Sequence, residues 1–96
     1  MPAYVIVQAE ITDSERFKEY LKETPGTLAG YGGKYIIRSG EMTVLEGNDP
    51  GKRIVIIEFA TMQMAKAWYC SEEYQQVKKL REGAATGSLI AIDGVS

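Results

Sequence analysis

Ninety-six residues, 45% of them hydrophobic and 25% charged, are enough for one domain over residues 1–96 and too few for two cores. With 11 basic against 13 acidic side chains and no basic block, the chain has no electrostatic grip on nucleic acid. It contains no histidine and one cysteine, Cys70. That removes Ser-His-Asp and Cys-His catalysis, a proximal haem histidine and the usual zinc ligands, and no calcium-loop spacing is present, so no metal, haem or other cofactor is expected.

In chain order, Ala3–Ile11 reads as the first strand. Thr12-Asp13-Ser14-Glu15 has the form of a capping box, with Thr12 accepting from the Glu15 amide. Phe17, Tyr20, Leu21, Thr24 and Leu28 recur at helical spacing, but Pro25 removes an amide donor and disfavours helical geometry at Thr24. A helix to about Glu23 and a separate turn through Leu28 are expected. Tyr31-Gly32-Gly33 supplies the stop.

Lys34–Arg38 is the second strand, with a bulge or kink at Ser39-Gly40 and a continuation over Met42–Glu46. Gly47-Asn48-Asp49-Pro50-Gly51 is the strongest turn signal, and Arg53–Phe59 is the third strand. Thr61 caps the next helix, whose inner stripe is Met64, Ala65 and Trp68. Ser71 caps a further segment carrying Tyr74, Val77, Leu80 and Ala84. Gly83 and Gly87 bracket its end, and Ser88–Asp93 is the last strand. The order is βαββαβ with the second helix split. That is the α+β, ferredoxin-like pattern, an antiparallel four-stranded sheet with helices on one face.

Tyr4-Val5-Ile6-Val7 and Ile54-Val55-Ile56-Ile57 are apolar on both faces, as expected of strands buried on both sides. Two helical regions cover only one face, and a second copy of the chain is the simplest cover for the other. A homodimer through the sheet face is therefore expected. Apolar runs of four or five residues are far below a membrane span, and the first residues carry no export signal, so a cytoplasmic protein with no membrane partner is expected.

Several segments go beyond a generic pattern: Tyr31-Gly32-Gly33, Arg38-Ser39-Gly40, Leu45-Glu46-Gly47, Ile57-Glu58-Phe59, Ala67 through Tyr74, and Leu80-Arg81. In this order and spacing the chain resembles, from Pro2 to Val95, the small bacterial family called domain of unknown function 1330. The resemblance implies a dimeric α+β barrel, two ferredoxin-like sheets face to face, and no established activity. Glu72 stands where the family often has proline; either residue suits a first helical turn.

Alternation places Val5, Val7 and Ala9 on one face of the first strand and Tyr4, Ile6, Gln8 and Glu10 on the other. The third strand separates Val55, Ile57 and Phe59 from Ile54, Ile56 and Glu58. With the first and third strands taken as parallel neighbours at the sheet centre, Glu10, Glu58 and Arg38 converge at a barrel mouth. Glu58 and Glu10 are then candidate catalytic carboxylates and Arg38 a substrate anchor, or the three form a structural ion pair. The aromatic group Tyr20, Tyr31, Tyr35, Trp68, Tyr69 and Tyr74 could line a pocket for a planar organic ligand, with Tyr31, Trp68, Tyr69 and Tyr74 the candidate substrate-binding residues, or these side chains are simply core. The expected function is binding or processing of a small organic molecule. If catalytic, it would proceed by proton transfer or cofactor-free oxygenation, with tyrosine and tryptophan holding the substrate. The alternatives are a non-catalytic dimeric module and, from Pro2 alone, an N-terminal-proline tautomerase. Arg81 is expected in a surface salt bridge with Glu82 or Glu73, and Cys70 as a buried small hydrophobe.

Overall fold

A computed structural model describes residues 1–49 and 51–95. Its elements are β1 (Ala3–Ile11), α1 (Ser14–Leu28), β2 (Lys34–Arg38), β3 (Arg53–Phe59), α2 (Met62–Cys70), α3 (Glu72–Lys78) and β4 (Ala85–Asp93), with single 3-10 turns at Ala29–Tyr31 and Lys79–Arg81. The strands form one sheet in the order β2-β3-β1-β4. Helix and sheet layers together make a slab 17 Å thick.

Every neighbouring pair is antiparallel, including β1 with β3, in the register Tyr4↔Glu58 and Ala9↔Arg53. The expectation that β1 and β3 run parallel is therefore corrected. Helix α1 carries the chain back so that β2 runs with β1, and the turn after β2 then sends β3 the opposite way. The central position of β1 and β3 is as expected from their two apolar faces.

Local signals act one residue away from the expected cap at the first helix. Asp13, not Thr12, is its N-cap and accepts from the Arg16 amide at 3.2 Å. The Thr12 and Asp13 amides both donate to the Ala84 carbonyl, at 2.8 and 3.0 Å, which ties this corner to the start of β4. Pro25 does not break α1. Thr24 donates to the Tyr20 carbonyl at 2.6 Å and Thr27 to the Thr24 carbonyl at 2.7 Å. Burial of Thr24, Thr27 and Leu28 holds the last turn against the core, so packing overrides the local preference. Gly32 then takes a left-handed φ of 70°. At Gly33 a Cβ would meet the Phe59 ring at 2.8 Å, so only glycine fits there.

The chain kinks at Ser39, as expected, where a left-handed φ of 57° ends β2, and a further irregularity lies between Tyr35 and Ile37. No strand forms over Met42–Glu46; Ser39–Asp49 and Gly51–Lys52 lie outside the sheet, and Pro50 of the expected turn lies outside the described residues. Helices α2 and α3 start as expected. Thr61 accepts from the Met64 amide at 3.1 Å and Ser71 from the Tyr74 amide at 3.2 Å. β4 begins earlier than expected, at Ala85, and absorbs Gly87.

The core is packed between the helices and one face of the sheet: Val5, Val55, Ile57 and Phe59 from below, Phe17, Tyr20, Leu28, Trp68 and Tyr74 from above. Trp68 and Tyr74 are fully buried, with ring centroids 4.3 Å apart. Their polar atoms are matched: Trp68 Nε1 donates to Thr27 Oγ1 at 2.9 Å, and the Tyr74 and Tyr20 hydroxyls pair at 2.9 Å.

Candidate functional site

Pairing sorts the strand residues onto two faces. The open face carries Tyr4, Ile6, Gln8 and Glu10 of β1, Ile54, Ile56 and Glu58 of β3, Ile37 of β2 and Ile90 and Ile92 of β4. Ile36, extruded by the bulge, joins Ile37 and Ile54. Seven isoleucines thus line a face with no helix over it, and Ile36, Ile37, Ile90 and Ile92 are 48, 45, 52 and 51% exposed.

The carboxylates are on this face, as the alternation predicts, but they do not meet. Glu58 sits opposite Tyr4, and Glu10 lies six residues further along β1, opposite Thr86. At about 3.3 Å per residue that is about 20 Å. Glu58 accepts from the Tyr4 hydroxyl at 3.1 Å and pairs with Lys34 at 3.2 Å. The Tyr4 phenol is held above its ordinary pKa, chiefly by that hydrogen bond. Glu10 is exposed. Arg38 is paired on the helix side and, exposed on the edge strand, borders both the cleft there and the rim of the open face. The bulge flips the alternation, so Tyr35 and Arg38 both pair with helix-side residues, Ile57 and Val55. The Arg38 guanidinium lies 4.5 Å from the centre of the Tyr35 ring. The convergence expected at a barrel mouth is not built within the protomer, because it rested on a parallel β1–β3 pair and an unbroken alternation in β2.

The aromatic candidates divide. Trp68 and Tyr69 line an apolar chamber of about 210 Å³ between α2 and the sheet, completed by Val5, Ala65, Lys66, Cys70, Leu89 and Ala91. Tyr69 is half-buried, accepts from Lys78 at 3.0 Å and lies beside Tyr74 at 5.4 Å. Tyr74 is sealed in the core behind them, and Tyr31 packs against the core's edge. Cys70 is exposed, not buried: it closes α2 on the outer side of its inward stripe.

The sequence placed Arg81 at the surface, counted Tyr35 among the pocket aromatics and gave Arg53 no role. Arg81 is half-buried, its guanidinium 5.7 Å from the Tyr20 ring. Burial pulls its pKa down, but the Tyr74 and Tyr20 oxygens outweigh that and hold it above its ordinary value. The Tyr20 phenol is pushed far up, first by burial and then by Tyr74. The Tyr35 phenol is raised by burial, against the pull of Arg38 and Arg53. A readable signal existed in the pair Arg38 and Arg53, which flank the β2–β3 connection and must come close when it folds back.

Residues 2–95 match the family described as Domain of unknown function (DUF1330). None of the curated proteins matches the chain by sequence. Solved structures with a similar fold include a protein of unknown function from Rhodopseudomonas palustris, at 16% identity and a TM-score of 0.79 over 99% of this chain and 83% of that one. Another is SnoaB, a cofactor-independent oxygenase from Streptomyces nogalater, at 10% identity and 0.67, covering 99% of this chain and 94% of that one. A third is a dimeric protein of unknown function and ferredoxin-like fold from Bacteroides fragilis, at 13% and 0.53, covering 97% and 96%. At such identities the likeness concerns the fold. With the match spanning nearly its whole length, the chain belongs to the DUF1330 family and has the ferredoxin-like fold of these neighbours.

Proposed function

We propose that the chain acts as a homodimer that binds a small, planar organic molecule in the chamber beneath α2, one chamber per protomer. The observation carrying this reading is the chamber itself: about 210 Å³, with apolar walls that include the half-buried Tyr69 and, buried behind them, Trp68. Apolar clefts edged by a few polar groups are where small ligands bind. The dimer is supported by the seven open-face isoleucines and by the dimeric neighbour of the same fold. Joined through those faces, two protomers leave both helix layers outward and both chambers reachable.

Trp68 is the chain's only tryptophan, so its fluorescence reports on the chamber. Titration with uncharged planar aromatics such as 2-naphthol is expected to change Trp68 emission saturably. Ala91→Phe, which fills the chamber from β4, is expected to abolish the change. Absence of a saturable change with any planar probe contradicts the proposal, as does a change that survives Ala91→Phe.

A further inference from the structure

Arg38 and Arg53 are diagonal neighbours on the helix face of β2 and β3, since Arg38 pairs with Val55 and Arg53 precedes it by two. Like charges so placed repel. Among the described residues no acidic group lies within ion-pair distance of either; the described ion pairs are Lys18–Glu15 and Lys34–Glu58. The Arg53 Nε is buried and has no hydrogen-bond partner. Arg81 has a buried, unpaired Nε too, but the Tyr20 and Tyr74 oxygens favour its charge. Among the described residues that line the cleft, side-chain oxygens come from Tyr35, Tyr20 and Thr24, of which Tyr20 is paired with Tyr74 and Thr24 donates to the helix backbone.

Both arginines border a cleft under α1 whose other walls are apolar: Val7, Ala9, Phe17, Leu21, Val55 and Ile57. Its enclosed part is about 30 Å³. Space of that size holds about two water molecules, and so the two oxygens of a carboxylate head. Guanidinium groups match carboxylates through paired N–H donors, and the Tyr35 hydroxyl adds a third donor group.

We infer that Arg38, Arg53 and Tyr35 form a binding site for the carboxylate head of a small organic acid, its apolar body lying against Phe17 and Leu21. This site is separate from the chamber beneath α2, and neither inference depends on the other. An anion here relieves the Arg38–Arg53 repulsion and gives the buried Nε its acceptor. The Tyr35 phenol, kept neutral by burial, donates rather than repels.

The test uses the full chain and matched ionic strength. Benzoate is expected to raise the melting temperature in a saturable way, and its neutral isostere benzamide is not. Loss of one charge-assisted hydrogen bond costs about tenfold in affinity or more, so Arg53→Gln and Arg38→Gln are each expected to weaken benzoate by at least that factor. Arg16→Gln, an exposed cation elsewhere, is expected to leave it unchanged. If Arg53→Gln does not fold, the arginine Nε–H resonances of the wild-type protein serve instead: benzoate is expected to move those of Arg53 and Arg38. An equal response to benzamide, to inorganic phosphate alone, or to neither anion overturns the inference. So does benzoate binding untouched by both substitutions.

Discussion

The two faces of one sheet differ more than any two elements of this molecule. Ile56 and Ile57 are adjacent, yet Ile57 is sealed beneath the helices and Ile56 points to the open side. The helix face is finished by the chain itself, with large aromatics and matched polar atoms. The open face has isoleucines of one shape, an ion pair at one end and no cover. The difference teaches that a two-layer α+β chain can complete only one side of its sheet, and leaves the isoleucines of the other side for the proposed second copy to cover.

Trp68→Ala strikes the finished face hardest. It empties the core and removes the indole donor from Thr27 Oγ1, with an expected loss of about 3–5 kcal/mol in urea unfolding at any protein concentration. Ile57→Ala is expected to cost about 2–5 kcal/mol, again independent of concentration. Ile56→Ala is expected to act chiefly on the dimer, so its effect fades on dilution; equal, concentration-independent losses at the two positions would break the comparison. Thr27→Val leaves the Trp68 indole donor unmatched and is expected to cost about 1–3 kcal/mol.

Alkaline pH sharpens the contrast within the helix layer. The Tyr20 phenol is raised in the fold above its unfolded value of about 10. The unfolded chain therefore releases this proton first. The Tyr20 contribution to stability is full below pH 10 and declines as pH rises above it. Tyr20→Phe is expected to flatten that decline in melting temperature above pH 10, and an unchanged slope would contradict the burial assigned to Tyr20. The smallest expected effect on the protomer is at the open face: Ile90→Lys should change its unfolding free energy by no more than about 0.5 kcal/mol while removing self-association.

Much of the fold was legible because its signals are local and periodic. The β2 and β3 boundaries, the Thr61 and Ser71 caps and the two faces of β1 follow from capping chemistry and alternation. Pro25 misled because its cost is local while the burial of Thr24, Thr27 and Leu28 that overrides it is tertiary. The site was less legible. One extruded residue, Ile36, moved Arg38 into helix-side pairing, and the direction of β3 moved Glu58 about 20 Å from Glu10. A bulge and a strand direction are properties of pairing, which a single strand does not encode. Trp68 and Tyr69 were within reach because they stand one residue apart at the end of an amphipathic stripe, one turned to the core and the other to its edge.

The central claim is that the isoleucine face is covered by a second copy of this chain. Sedimentation equilibrium of the wild-type protein at low micromolar concentration tests it directly. The account predicts twice the chain mass, falling to the chain mass in Ile90→Lys. A well-folded wild-type monomer at that concentration would contradict it.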